Sequence, residues 1–218
     1  MRRQAGALVI GVGAPGQLRD VVQALGRHHQ VAQVGQLLDL ADALARCALP
    51  AGARVLDLGV NDGDELALMM ALAPALATAT FVGVDHSASA LAVARTRFPR
   101  ATFVEADLGA LATLELGTFD LVLSIATLQS PAIDDRTLMR TIVKRLLAPR
   151  GAVILGVPNC AYADGEVFAG ARVKNYRQAE LGTALKDVVF YRRYLQQHDR
   201  KVYVTGTHEI LVTAVAIP

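Results

Sequence analysis

The chain has 218 residues, which fits one domain of ordinary size with or without a short appendage. A hydrophobic content of 53% and a charged content of 19% predict a sizeable core and exclude global disorder. The net charge of +2 is too small to indicate nucleic acid as a partner of the whole chain, and two cysteines are too few for a disulfide framework or a four-thiolate zinc site, so we predict no metal.

Two segments imitate membrane signals without meeting their requirements. Residues 2–14 start with two arginines and an apolar stretch, as a signal peptide does, but a proline and a glycine then interrupt it and no convincing cleavage site follows. Residues 66–84 carry no charge, yet a proline breaks this run and acidic residues bracket it. We therefore expect a cytoplasmic protein that does not bind a membrane.

The first 50 residues show weaker patterns than the rest. Residues 7–13 and 31–35 are strand-like, whereas residues 17–26 and 36–47 are helix-like. We expect an N-terminal appendage over residues 1–50, either a small βαβα unit or a helical cap.

From residue 52 onward, short β-branched runs alternate with amphipathic helical patterns, which is typical of a mostly parallel sheet covered by helices. The predicted strands are residues 54–60, 80–85, 102–107, 119–125 and 152–157, and the predicted helices are residues 64–75, 87–98, 134–148 and 178–198. Ser87 is a credible N-cap. The runs at 201–205 and 209–216 have no helix between them and predict an antiparallel hairpin. For residues 51–218 we expect a Rossmann-like α/β fold, a doubly wound sheet of seven strands that is mostly parallel.

Acidic residues stand at the ends of three successive predicted strands. Asp57 can hold a cationic group, Asp85 lies 22 residues after Gly63, near the offset of a ribose-binding acid, and Asp107 can accept the exocyclic amine of adenine. Ligands of open parallel sheets bind at these strand ends. Further acids begin the first helix and disfavour a pyrophosphate, so a positively charged nucleoside derivative fits better.

These motifs resemble the class I S-adenosylmethionine-dependent methyltransferases over about residues 52 to 158. The matching segments are VLDLGVNDG, FVGVDHS, ATFVEADL, FDLVLSIATLQS and LLAPRGAVILGVPN. The family usually has glycine where Asn61 stands, but asparagine is the other residue that best tolerates the left-handed backbone, so we expect the turn to form.

The resemblance implies S-adenosylmethionine as the cofactor and a role for each matched position. It places Asp57 near the methionine amino group, Gly59, Asn61 and Gly63 around the cofactor, Asp85 on the ribose with His86 at its border, Asp107 and Leu108 at adenine, and Ser124 to Thr127 beneath the sulfonium.

A glycine pattern in GVGAPG, residues 11–16, also matches a dinucleotide fingerprint. No acid ends the next strand-like run, so an ordinary glycine-rich turn is the better interpretation.

The C-terminal third concentrates rings and positive charge. Seven of the eleven Phe and Tyr residues lie between Tyr162 and Tyr203, and residues 171–203 hold eight basic against three acidic residues. Together with a long non-periodic insertion over 159–176, this region could form the acceptor wall of the pocket, or its rings could simply pack against the sheet. Tyr162, Asp164 and His198 are candidates for a general base.

We expect methyl transfer to a small acceptor, with an anionic molecule favoured. RNA methylation through the basic aromatic region and a non-catalytic S-adenosylmethionine-binding module are the alternatives, and a homodimer is compatible with either. No motif typical of DNA base methylation is present, so we expect no DNA partner.

Overall fold

The computed structural model describes residues 30–163, 166–169, 181–206 and 209–217. Its helices are α1 (Gln30–Cys47), α2 (Asp64–Leu72), α3 (Ala88–Arg97), α4 (Asp135–Thr141) and α5 (Leu181–Gln196). Its strands are β1 (Arg54–Leu58), β2 (Thr80–Asp85), β3 (Thr102–Glu105), β4 (Phe119–Ile125), β5 (Leu147–Pro158), β6 (Ala161–Ala163), β7 (Glu166–Ala169), β8 (Arg200–Thr205) and β9 (Glu209–Ala216). Short 3-10 helices follow α2 and β3, and a π-helical turn over Ile142–Leu146 extends α4.

Seven strands form the main sheet in the order β3-β2-β1-β4-β5-β9-β8. The first five are parallel, whereas β9 runs antiparallel to both β5 and β8. This confirms the predicted seven-stranded, mostly parallel sheet with a C-terminal hairpin. The strand order reverses between β1 and β4, since β1 to β3 proceed toward one edge of the sheet and β4 and β5 toward the other. Folds of this kind bind ligands in the crevice at this switch point.

Alternation along the strands separates two apolar layers. Leu56 and Leu58 of β1 belong to the layer under α4 and α5, whereas Val55 belongs to the layer under α1, α2 and α3. Successive side chains of a strand point to opposite faces, so Asp57 points toward the α1 and α2 side. The alternation of side chains along β1 is therefore sufficient to show which face of the sheet the Asp57 side chain is on.

Two helix starts follow from local chemistry. The side chain of Ser87 accepts a hydrogen bond from the Ala90 N–H at 3.3 Å, as an N-cap should, and Asp134 accepts from the N–H groups of Arg136 and Thr137. The predicted N-cap at Ser87 is confirmed.

The strand predicted over residues 31–35 is wrong, because α1 begins at Gln30 and continues through them. The apolar residues Val31, Val34 and Leu37 recur every three positions, so these valines start one continuous helical pattern rather than a separate strand. Leu40 and Leu44 of α1 are buried in the layer beside β1. The other predicted elements of the appendage and the GVGAPG motif lie outside the described residues, and the domain boundary at residue 50 stays a prediction.

The insertion predicted as non-periodic contains a short antiparallel pair, β6 with β7. Three- and four-residue strands are too short to show a clear alternation, so the sequence pattern missed them. No helix in the described part of the chain is both long and apolar enough to cross a bilayer.

Candidate cofactor site and acidic cavity

A cavity of about 380 Å³ opens at the carboxyl ends of β1 to β4, and we call it the cofactor cavity. Its volume lies within the range of small-molecule sites. The lining residues come from four consecutive strand ends: Gly59, Asn61, Asp85, His86, Ser87, Asp107, Leu108, Ala126, Thr127, Ser130, Ala132 and Ile133. The structure therefore brings together most of the residues that the sequence assigns to the cofactor.

Asp85 holds two backbone segments at the centre of this cavity. Its Oδ2 accepts a hydrogen bond from the Asn61 N–H at 2.9 Å, and its Oδ1 accepts one from the Ser87 N–H at 2.8 Å. The side chain of Asp85 thus ties the turn after β1 to the start of α3. Carboxylate oxygens have further lone pairs, so both remain able to accept from a ribose hydroxyl.

The turn after β1 has a left-handed backbone at three positions. The φ angles are 83° at Gly59, 48° at Asn61 and 89° at Gly63, so Asn61 adopts the conformation that the sequence predicts for it. A Cβ at Gly59 would lie 2.2 Å from Thr127 Oγ1, and one at Gly63 would lie 2.7 Å from the Phe98 ring. Gly59 is therefore needed both for its φ angle and for its close approach to the β4 side of the cavity.

Asp107 and His86 also line the cavity, Asp107 at the position that the resemblance assigns to adenine and His86 next to Asp85. Asp107 Oδ1 accepts a hydrogen bond from the Gly109 N–H at 2.6 Å and caps the short 3-10 helix that starts at Leu108. The His86 side chain is exposed, with its Nδ1 3.5 Å from Asp85 Oδ1. Leu108 is 9% exposed and gives the cavity an apolar wall.

Four predicted cofactor residues do not line this cavity: Asp57, Gly63, Ser124 and Ile125. Ser124 is fully buried, and its hydroxyl donates to the Leu58 carbonyl at 3.1 Å, which ties β4 to β1. Asp57 is 1% exposed, and its Oδ2 has no hydrogen-bond partner among the residues that the structure describes. Burial raises the pKa of the Asp57 carboxyl well above its ordinary value, and the charges of Glu65 and Asp85 raise it further. A buried acid with an unpaired oxygen fits the cationic amino group that the resemblance places there.

His198, the candidate general base whose side chain the structure describes, does not line this cavity. His198 lies after the end of α5, where its ring stacks on Tyr194 at 4.4 Å between centroids and its Nδ1 is 2.9 Å from the Tyr194 carbonyl. Tyr162 lies in β6, and Asp164 falls outside the described residues.

The rings of α5 pack against the body of the protein. Tyr191 is fully buried, and its hydroxyl donates to Asp135 Oδ2 at 3.1 Å. The Arg136 guanidinium lies 3.3 Å from the Phe190 ring centroid. The sequence leaves two interpretations of these rings, an acceptor wall of the pocket or packing against the sheet. Phe190 and Tyr191 pack against the sheet, because no described residue of α5 lines the cofactor cavity.

A second cavity, of about 200 Å³, lies on the α1 and α2 side, and we call it the acidic cavity. Four acids and five apolar side chains line it together with one amide: Gln36, Leu37, Asp39, Leu40, Asp64, Glu65, Leu68, Ile125, Glu209 and Leu211. Gln36 and Glu209 are not predictable from the sequence, because nothing in the local pattern shows that α1 and β9 meet here.

Burial raises the pKa of Glu65 and of Glu209 to about 7. The charges of Asp64, Glu209 and Asp62 also raise the pKa of Glu65, whereas its own backbone N–H lowers it. A hydrogen bond from the Gln36 side chain lowers the pKa of Glu209. Asp64 is paired with Arg97 at 2.8 Å. Glu65 and Glu209 are therefore costly to charge in the folded state.

Glu209→Gln is expected to stabilise the protein above neutral pH, by an amount on the order of 2 to 3 kcal/mol. The folded-state pKa of about 7 exceeds the ordinary value of 4.5, so the wild-type protein loses stability as pH rises between these values. Chemical denaturation at about pH 5 and about pH 8 measures the difference, which should largely vanish at the lower pH. Exposed Glu115→Gln is the control, and an equal gain at both pH values would contradict the prediction.

Comparisons with known proteins match the same part of the chain. A family model described as a methyltransferase domain matches residues 55–151, which include the strand ends of the cofactor cavity. Residues 55–151 thus carry a methyltransferase domain, in agreement with the resemblance to the class I S-adenosylmethionine-dependent methyltransferases, and S-adenosylmethionine is the cofactor that this class uses. The predicted recognition and cofactor are thereby confirmed.

Curated relatives include the trans-aconitate 2-methyltransferases of Variovorax paradoxus, 36% identical over 118 residues, and of Methylobacterium nodulans, 37% identical over 119 residues. These matches cover 54% and 55% of this chain but 43% of either relative, so the chain spans less than half of their length.

Solved structures share the fold at low sequence identity. An S-adenosylmethionine-dependent methyltransferase from Aquifex aeolicus has a TM-score of 0.60 at 13% identity, covering 91% of this chain and 98% of the other. The magnesium protoporphyrin IX methyltransferase of Synechocystis, solved with bound S-adenosylhomocysteine, has a TM-score of 0.55 at 20% identity, covering 93% and 94%.

Proposed function

We propose that this chain is an enzyme that transfers the methyl group of S-adenosylmethionine to a small molecule. One observation carries the proposal: Gly59, Asp85 and Asp107 meet in one cavity at the strand ends. The buried Asp57 oxygen and the glycine cradle at Gly59 fit the cofactor's amino group and its close approach to the backbone. When bound, the cofactor supplies a sulfonium whose methyl group is already activated for in-line transfer.

The chain's own residues bind and orient the two reactants. Asp85 and Asn61 fix the turn that carries Gly59, while Leu108 gives the adenine end its apolar wall. Ala126 and Thr127, at the end of β4, form the wall next to the acidic cavity. Positioning and water exclusion would supply most of the acceleration.

Calorimetry with S-adenosylmethionine and S-adenosylhomocysteine tests cofactor binding, for which we expect micromolar affinity. Transfer of tritium from methyl-labelled cofactor to a fractionated extract then tests catalysis. No binding at millimolar cofactor would refute the proposal, whereas binding without transfer to any fraction would favour the non-catalytic module.

Two acceptor classes have specific support. The sequence favours a small anion, and the curated relatives are named for trans-aconitate, a carboxylate. The acidic cavity supports a cation instead, because four carboxyl groups would repel a carboxylate there.

RNA remains the alternative acceptor of the basic C-terminal region. Phosphate contacts by the basic residues make RNA affinity fall as salt is added, so an RNA affinity that does not depend on salt would exclude RNA as the acceptor. A cytoplasmic location, a homodimer and the absence of DNA and membrane partners stay predictions.

A further inference from the structure

The acidic cavity adjoins the cofactor cavity at the end of β4. Ile125 lines the acidic cavity, and the next two residues, Ala126 and Thr127, line the cofactor cavity. The cofactor residues come from the β3-β2-β1 half of the sheet together with the end of β4. Glu209 is the first residue of β9, which lies on the far side of β5, and it pairs there with Pro158 of β5. The β9 side of the acidic cavity thus lies on the half of the sheet that the cofactor residues leave open, whereas its α2 side follows β1.

The lining of the acidic cavity combines carboxyl groups with aliphatic side chains. Among the described residues that line it, none is basic. Asp64 has an ionic partner in Arg97, outside the cavity, but Glu209 Oε2 is buried without a hydrogen-bond partner. The leucines from α1, α2 and β9 form its apolar part. Such a site matches a ligand with an apolar body and one positive charge.

Asp57 adds a buried carboxyl group on the same face of the sheet, although it does not itself line the acidic cavity. It is 1% exposed with one unpartnered oxygen, and on β1 it points to the α1 and α2 face, where the acidic cavity lies. Among neighbouring charges, that of Glu65 has the largest effect on its pKa, ahead of Asp85. An uncompensated buried carboxyl group is costly unless a cation meets it.

We propose that the acidic cavity binds the methyl acceptor and that this acceptor is a small amine with an apolar body. This inference rests on the proposed function. The cofactor's amino group accounts for one positive charge near Asp57, but Glu209 and Gln36 lie outside residues 55–151, which match the methyltransferase domain. The carboxyl group of Glu209 is therefore available for a second cation, and Glu65 lines the same cavity.

The transfer balances with residues of this cavity. The amine nitrogen forms a bond to the methyl carbon while the bond from that carbon to sulfur breaks, and the electron pair of the broken bond stays on sulfur. The proton that must leave the ammonium group to free its lone pair passes to the carboxylate of Glu65 or Glu209. Burial raises the pKa of both groups to about 7, which suits them to hold this proton near neutral pH.

Calorimetry on protein saturated with S-adenosylhomocysteine tests the acceptor class directly. The probes are pairs of matched skeleton: phenethylamine against 3-phenylpropionate, and butylamine against pentanoate. We expect the amines to bind and the carboxylates not to bind. Glu209→Gln should weaken amine binding about tenfold or more, because it removes a charge-assisted hydrogen bond, and should leave S-adenosylhomocysteine affinity within about twofold. Glu115→Gln, which changes an exposed acid that lines neither cavity, should change neither affinity.

Three results would overturn the inference: no amine binding at about 10 mM, carboxylates binding as well as amines, or an equal loss of S-adenosylhomocysteine affinity in Glu209→Gln. The last result would assign the acidic cavity to the cofactor. Wild-type protein that fails to bind S-adenosylhomocysteine would instead refute the proposed function, so the two failures are distinguishable. Thermal unfolding of Glu209→Gln checks that the variant folds.

Discussion

Gly59→Ala is expected to abolish measurable cofactor binding, with a loss of at least about a hundredfold in affinity. The added Cβ would lie 2.2 Å from Thr127 Oγ1 and 2.6 Å from its Cγ2, so the turn after β1 and the end of β4 must separate. The φ angle of 83° adds strain of about 1 to 2 kcal/mol for any side chain. Because both segments line the cofactor cavity, their separation changes its shape. Calorimetry with S-adenosylhomocysteine measures the loss.

Gly52→Ala is the matched control for this variant. Gly52 has a φ angle of 72°, similar to that of Gly59, but a Cβ there would meet no atom within 4 Å. Gly52→Ala should therefore lower the free energy of unfolding by about as much as the backbone strain in Gly59→Ala does, and it should leave cofactor affinity unchanged. Equal losses of affinity in the two variants would show that backbone strain, rather than the contact with Thr127, controls binding.

Asp85→Ala should weaken cofactor binding by about a hundredfold or more and also lower stability. The substitution leaves the N–H groups of Asn61 and Ser87 without the carboxylate that now accepts from both, and each charge-assisted hydrogen bond contributes about 1.5 to 3 kcal/mol. The ribose would lose its acceptor as well. Calorimetry measures the affinity, and urea denaturation measures the free energy of unfolding.

Asp85→Asn separates the two roles of this residue. Its amide oxygen can still accept from one backbone N–H, so it should recover part of the stability but little of the affinity. Full recovery of affinity in Asp85→Asn would show that the negative charge is not needed. His86→Ala, which removes an exposed neighbour, should change stability little.

The strand ends were predictable because each requirement is local. The alternation in β1, the β-branched run of β2 and the acids that follow them show where the chain turns and what it presents, so Asp85 and Asp107 could be assigned to one cavity from the sequence. Asn61 shows the same principle, since its left-handed conformation follows from its residue type and its position in the turn.

The rest of the site depends on contacts between distant segments. Glu209 reaches the acidic cavity only because β9 inserts between β5 and β8, and Gln36 only because α1 packs on the same face. The hydrogen bond from the Ser124 hydroxyl to the Leu58 carbonyl, which joins β4 to β1, is likewise a contact that no local pattern shows. The place of Ser124 beneath the sulfonium stays a prediction. The strand predicted over residues 31–35 failed for a different reason: a five-residue window cannot distinguish a strand from the first turns of a long helix.

The division of the two cavities between segments has a consequence for how such a protein can diversify. Residues 55–151 supply every described residue that lines the cofactor cavity, whereas Gln36, Leu40, Glu209 and Leu211 of the acidic cavity come from outside that stretch. Substitutions in α1 and β9 can thus change which molecule receives the methyl group while the donor pocket stays intact. Sequence similarity over residues 55–151 therefore reflects a shared cofactor cavity, and it does not constrain which acceptor is methylated.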